Sequence, residues 1–414
     1  MSEDILDEIL NDETGNQKKE KPVAVVPPDK PAPVVQPVTP VTSAKAELAS
    51  KPVQDVKLKE VIDVYKAEKD ETSKYLPGCG VDIGTSNIVV ARRTKDGTFV
   101  NRFHRNMLYP LDVSEEAVDL LEKSSYLYVK VDDKYFVVGE DALTLVNAIG
   151  KGEVVRPMQN GILNPSLKES TELLFYIIKA VVGDPIVEGE TLRFSVPADP
   201  VDSNINNKFH IMILQNFFQK MGYKAKPVNE AMCIAYDCNP IMKEDSENIP
   251  LSGITCSCGA GMWNLALMYK GLSVIEFSCT KSGDYLDEQV ATMTGNKTSK
   301  VIKVKEKKLD LGNVDMSDRI QSALSVYYDE MVDRMVHHIS TQFKNLNSEM
   351  DGELEVVIAG GTSMAPGFCE RLEQSIKASG LPFEIYRIRQ SETPFYSVSQ
   401  GACIRAQADY GKKS

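Results

Sequence analysis

No stretch of about 18 apolar residues occurs in this chain, which excludes a bilayer-spanning helix. Positive charge is in deficit: 47 Lys and Arg stand against 59 Asp and Glu, for a formal net charge of −12. A nucleic-acid binder or a surface drawn to anionic lipid needs a basic face, so both are disfavoured. Histidine is scarce, at four, and tryptophan appears once. The eight cysteines are scattered. Cys256 and Cys258 form a Cys-x-Cys pair, but no second ligand pair at zinc spacing accompanies them, so they read as buried strand thiols. The opening stretch "MSEDILDEILNDE" lacks a basic segment and does not read as a secretory signal. The expectation is a cytoplasmic protein with reduced thiols.

What is present suits a soluble body. Apolar residues make up 42% and charged residues 26% of 414 residues, a length that fits two lobes or a lobe with a tail. Residues 1–75 stand apart from the rest. "KKEKPVAVVPPDKPAPVVQPVTPVTSAK" mixes Pro, Val and charge without helical or strand period, which predicts a disordered, polyproline-like tail. Ile5, Leu6, Ile9 and Leu10 fall on one side of a short acidic helix. That is either a docking peptide or a solvated end with incidental apolar residues. A marginal helix is expected over 54–70.

From Tyr75 onward, strand and helix patterns alternate. "YLYVKVDDKYFVVGEDAL" predicts a hairpin turning at Asp132-Asp133 and then a short helix. "SLKESTELLFYIIKAVVGDP" predicts a helix with Ser166 as its N-cap. Ile320, Leu324, Tyr328, Met331, Met335, Ile339 and Phe343 recur at helical spacing and predict the longest helix. His337 and His338 lie on it, but adjacent helical residues face different ways, so they read as surface groups.

Three segments share one pattern of apolar strand, small residues and polar side chains: "GVDIGTSN" at 80–87, "CSCGAGMWN" at 256–264 and "VVIAGGTSMAPGF" at 356–368. Glycine lets a backbone press against phosphate oxygens, and successive N–H groups form an anion nest. The candidate phosphate and nucleoside contacts are Gly84, Thr85, Ser86 and Asn87, then Gly259, Ala260 and Gly261, then Gly360, Gly361 and Thr362. Asp82, at a strand end beside the first turn, suits a hydrated Mg²⁺.

In order and content the turns resemble the phosphate-1, phosphate-2 and adenosine motifs of the actin-like ATPase superfamily. The resemblance covers about residues 77 to 410. "VNEAMCIAYD" at 228–237 resembles the segment connecting the halves, where an acidic residue is carried, here Glu230. "YFVVGEDAL", "VVRPMQNGIL" and "TKSGDYLDEQV" resemble the prokaryotic actins, those of magnetosomes more closely than those of rod-shaped cells. The Arg-Pro-Met stretch is Arg156, Pro157 and Met158, with Gly161 beyond it.

The resemblance implies an α/β, actin-like (ribonuclease H-like, duplicated) two-lobed fold with a nucleotide cleft. The expected division is a tail over 1–75 and a first lobe over 76–230 with a small subdomain at about 106–152. A second lobe spans 231–414, with a small subdomain at about 282–345. ATP or ADP with Mg²⁺ in the cleft is implied, as is self-assembly into filaments. The tail would tether cargo or a membrane adaptor.

The second turn departs from the family's Asp-x-Gly-Gly/Ala-Gly-Thr-x-Asp. Ser257, Met262 and Asn264 stand where Asp, Thr and Asp are usual, although the glycine frame is kept. Binding through the backbone is expected to survive and hydrolysis to be slow, with Glu230 left as the candidate base for the attacking water. The alternatives are a non-polymerising scaffold of the same superfamily and, with less in its favour, a superfamily kinase.

Overall fold

The run CGVDI forms β1 (Cys79–Ile83), and the chain reverses at Gly84 into β2 (Asn87–Arg93) and β3 (Phe99–Arg105). The structure is a computed structural model. It describes residues 73–414 apart from 113, 115–118, 120, 122, 125, 132–133, 244–247, 345–351, 382 and 413–414. The expected tail up to residue 72, with its docking peptide and its helix over 54–70, lies outside the described residues, as does the turn at Asp132-Asp133. Tyr75 is described: it bridges Thr94 and its side chain is buried.

A small sheet follows, from β4 (Leu108–Asp112), β5 (Tyr128–Val131) and β6 (Lys134–Val138), with α1 (Glu140–Ile149) packed on it through Ala142, Leu145 and Val146. The short strands β7 (Met158–Gln159) and β8 (Ile162–Leu163) lead to α2 (Ser170–Val182). Ser166 does not cap α2. The Asn164 carboxamide oxygen accepts the Ser166 N–H at 2.9 Å and draws that stretch into a turn ahead of the helix. Next come β9 (Thr191–Val196), α3 (Lys208–Lys220) and β10 (Lys224–Asn229), with β9 parallel to β1 and β10 parallel to β9. Phe175 of α2 and Phe217 of α3 stack with centroids 4.0 Å apart in the core beside this sheet.

The chain leaves through α4 (Glu230–Cys238), passes β11 (Ile241–Lys243) and β12 (Asn248–Pro250), and builds a second sheet. That sheet starts with the meander β13 (Gly253–Cys258), β14 (Trp263–Tyr269) and β15 (Leu272–Cys279). Three helices follow: α5 (Gly283–Thr294), α6 (Thr298–Lys307) and α7 (Arg319–Lys344). Then come β16 (Leu354–Ala359), a 3₁₀ turn at Gly361–Met364, α8 (Phe368–Ser379), β17 (Ile385–Gln390) and α9 (Ser397–Gly411). The apolar series from Ile320 to Phe343 on α7 is buried as its period predicts.

The two large sheets run β10-β9-β1-β2-β3 and β15-β14-β13-β16-β17. Each is an antiparallel meander extended by two parallel strands, so the duplicated, two-lobed arrangement is present. α4 and α9 cross between the sheets. A Cβ on Gly401 of α9 would fall 1.8 Å from the Cys233 carbonyl oxygen of α4, and one on Gly80 of β1 would fall 2.1 Å from Ser399 O. Only glycine permits that approach. Cys256 and Cys258 are free thiols in the second lobe's core. Among the described residues, no helix is long and apolar enough to cross a membrane.

Candidate functional site

The three glycine turns meet one another directly. The first closes through Gly84 N–H donating to Asn87 O at 3.0 Å, and the second through Gly259 N–H donating to Met262 O at 2.9 Å. Gly161 N–H donates to Thr85 Oγ1 at 3.0 Å. A Cβ on Gly261 would stand 2.4 Å from that same oxygen, so the first and second turns touch only because residue 261 is glycine. The third turn is tied to the second by Thr362 Oγ1, which donates to Gly259 O at 2.7 Å. Gly360, at φ 94°, lies against Cys258, whose carbonyl oxygen would be 2.5 Å from a Cβ at that position. The hydroxyl proton of Thr362 is therefore held inside the protein, while Thr85 keeps its own proton for another acceptor.

The acidic and neutral side chains are arranged by strand register. Ser257 and Asn264 are opposite partners on β13 and β14, so they project from one face, while Cys256 and Cys258 project into the core. Both neutral side chains donate to Glu230 Oε2, Asn264 Nδ2 at 2.9 Å and Ser257 Oγ at 3.3 Å. Asn264 Oδ1 accepts Ala198 N–H at 2.9 Å. Glu230 is the first residue of α4, whose N-cap Asn229 accepts from Ala231 N at 2.8 Å and Met232 N at 3.2 Å. Asp82 is fixed by Ser195, whose hydroxyl donates to Oδ1 at 2.7 Å while accepting Ile83 N–H at 2.9 Å.

Burial raises the Asp82 carboxyl above its ordinary range, with the Ser195 bond opposing. Burial first, and then the charge of Asp82, push Glu230 up to about 8 against the two bonds from Ser257 and Asn264. The empty site therefore favours the neutral form of Glu230. Among the described residues neither carboxyl has an ion-pair partner, and a bound cation would favour the charged form of each. Asp82 is suited to hold Mg²⁺ on that ground.

The three turns, Asp82, Glu230 and Ser257 line one cavity of about 570 Å³, within the usual span of small-molecule sites. Its wall contains Asp82, Gly84, Thr85, Ser86, Asn87, Glu230, Gly259, Ala260, Gly261, Gly360, Gly361 and Thr362. It also contains residues that no local pattern singles out, among them Phe103 and Arg105 of β3, Lys305 and Glu306 of α6, Tyr328 of α7 and Phe395. Several of these bridge the lobes. Arg105 donates from both terminal nitrogens to Glu306 at 3.0 and 2.9 Å, and its Nε lies 2.8 Å from Glu140 Oε2. Phe103 meets Phe395 edge to face at 5.2 Å, and Met107, Leu143 and Ile302 pack together nearby. Arg156, from the Arg-Pro-Met stretch, pairs with Asp284.

The volactin family profile matches residues 78–406. The chain belongs to the volactin family. Among solved structures, the MamK double helical filament is similar with a TM-score of 0.58 at 17% identity, over 80% of this chain and 98% of that one. MreB5 of Spiroplasma citri bound to AMPPNP gives 0.56 at 15% identity, over 81% and 98% of the two chains. The same protein bound to ADP gives 0.55 at 15%, over the same shares. At such identities the likeness is one of fold, and the fold is actin-like. No curated protein matches the sequence.

Proposed function

We propose that this protein binds ATP or ADP with Mg²⁺ in the interlobe cavity and assembles into filaments as a cytoplasmic, actin-like cytoskeletal protein that hydrolyses ATP slowly. The observation that carries the reading is the interlocking of three glycine turns around one cavity that also holds Asp82 and Glu230. Backbone N–H groups of Thr85 and Ser86 and of Ala260 and Gly261 are the phosphate contacts, in turns closed by the Gly84 and Gly259 N–H groups, and Gly360, Gly361 and Thr362 wall the nucleoside end. Asp82 is the protein ligand for Mg²⁺, whose charge offsets that of the phosphates. MreB5 with AMPPNP or ADP, and MamK as a double helical filament, support the nucleotide and assembly parts through their shared fold.

Slow hydrolysis follows from the neutral second turn, because Ser257 and Asn264 bring no charge to hold metal and water together in the transition state. In the empty site, burial and the charge of Asp82 also leave less of Glu230 ionised to take a proton from water. Ser257 and Asn264 hold Glu230 in place but add no charge. The first lobe of this reading covers 76–230 and the second 231–414, with residues 1–75 as a tether for cargo or a membrane adaptor.

Calorimetry with ATP and ADP under saturating Mg²⁺ tests the core of the proposal: no binding heat and no competition by either nucleotide would overturn it. Electron microscopy with and without ATP tests assembly, and its failure alone would leave the non-polymerising scaffold, which the neutral second turn also suits. Removal of residues 1–72, ahead of the bridge from Tyr75 to Thr94, is expected to leave assembly intact.

A further inference from the structure

We infer that Asn264 is a positioning residue that ties the stance of Glu230 to the closed arrangement of the two lobes. The inference deepens the nucleotide reading and depends on it for its catalytic meaning, while its physical content stands in the free protein. Asn264 is fully buried, and its carboxamide bonds once to the segment after β9 and once to the head of α4. Oδ1 takes Ala198 N–H at 2.9 Å, from the segment that follows β9 of the first lobe. Nδ2 donates a hydrogen bond to Glu230 Oε2 at 2.9 Å, at the start of the helix that crosses between the sheets. An amide has one acceptor end and one donor end, so these two bonds fix its orientation jointly.

The first-lobe side of this contact is a built junction. Ser278 is the partner of Asn264 across β14 and β15, and its hydroxyl donates to Ala198 O at 2.7 Å. The Ala198 residue is thus gripped at its N–H by Asn264 and at its C=O by Ser278. Val201 N–H donates to Ser278 O at 2.9 Å, and Ser278 N–H donates to Asp199 O at 3.1 Å. Thr280 N–H adds bonds to Asp202 at 3.0 and 3.1 Å.

On the other side, both bonds to Glu230 fall on Oε2, which leaves Oε1 for the cavity that Glu230 lines. Opening of the lobes at Ala198 frees the Asn264 carboxamide to rotate, and Glu230 then loses the nearer of its two donors. Closure restores both. Such coupling is reciprocal: if the Ala198 bond steadies Glu230, then Glu230 steadies the Ala198 bond.

Reciprocity gives the test. Hydrogen–deuterium exchange of the free protein is followed at the peptide covering 197–204, with melting curves confirming that each variant is folded. Asn264→Ala removes the acceptor and is expected to speed the Ala198 amide about tenfold. Glu230→Ala leaves Ala198 and its bond to Asn264 Oδ1 untouched, yet is expected to speed the same amide several-fold. Glu230→Gln keeps an acceptor for Nδ2 and should return exchange to the wild-type rate. Wild-type exchange in Glu230→Ala would overturn the inference, and so would equal acceleration in Glu230→Gln. Neither readout needs nucleotide, so a protein that binds no ATP sinks the proposed function and leaves this coupling to be judged by itself.

Discussion

Replacing Asn264 by Asp is the most demanding test of the neutral second turn. The substitution keeps the Oδ1 acceptor for Ala198 N–H but sets a carboxylate oxygen where Nδ2 now lies, 2.9 Å from Glu230 Oε2. At that distance and an effective dielectric of about 20, two carboxylate charges repel by about 6 kcal/mol. That repulsion corresponds to roughly four pKa units. The pair therefore holds one proton in common over a wide pH range.

The consequence appears in stability as a function of pH. In the wild type, Glu230 has a folded pKa of about 8 against an ordinary value of 4.5, so the folded state binds the extra proton between those limits. Its contribution is present at low pH, falls as pH rises, and levels off near 8. In the variant the second ionisation is deferred, and the fall continues past pH 8 at about 1.4 kcal/mol per pH unit. Urea unfolding at pH 7, 8, 9 and 10 should show a steady offset up to pH 8 and then a gap that opens by about 3 kcal/mol at pH 10. Parallel curves over the whole range would refute the placement of Asn264 against Glu230.

Five further outcomes follow from the structure. Phosphate release from Mg·ATP should rise with pH as Glu230 loses its proton, and Glu230→Gln should flatten that profile; a wild-type rate that falls with pH would exclude Glu230 as base. Arg105→Ala removes the bridge to Glu306 and Glu140 and should speed release of a fluorescent nucleotide about tenfold in stopped flow, a modest figure because Glu140 is 59% exposed. The wild-type release should itself quicken with salt. Gly261→Ala forces a Cβ to within 2.4 Å of Thr85 Oγ1 and should cost about 1–3 kcal/mol of stability, with weaker ATP binding by titration; an unchanged melting curve would contradict the contact between turns. Glu190→Ala should cost about 3–5 kcal/mol in denaturant titration, because Glu190 is wholly buried and answers both Arg92 and the Gly78 and Ile186 amides.

How far the sequence carries depends on the range of each interaction. The turn at Gly84 and the helix Arg319–Lys344 are written in neighbouring residues, by strand reversal in one case and a repeat of buried side chains in the other. The substitution of Ser257 and Asn264 for acids is equally local and visible. The bond from Arg105 to Glu306 joins residues 201 apart, and Thr362 is tied to Gly259 across 103 positions, so neither has a local pattern to betray it. The Ser166 cap failed for a local reason of another kind: Asn164, two residues earlier, competes for the same backbone and wins it for a turn.

The meaning of the neutral pair lies between these cases. Read singly, Ser257 and Asn264 are two lost charges, and loss of charge predicts a weaker cation site. Read through the β13–β14 register they are neighbours on one face, aimed at a buried carboxyl that already has Asp82 for company. Acids at both positions would place four carboxyls around one cavity, and such a set is stable only with a cation in permanent attendance. With two donors instead, the empty cavity needs no cation to hold its shape, and Glu230 stays protonated and oriented until something in the cavity changes its charge. On this argument the second turn holds the site together without charge, and Ser257→Asp with Asn264→Asp should leave the nucleotide-free protein less stable unless Mg²⁺ is added.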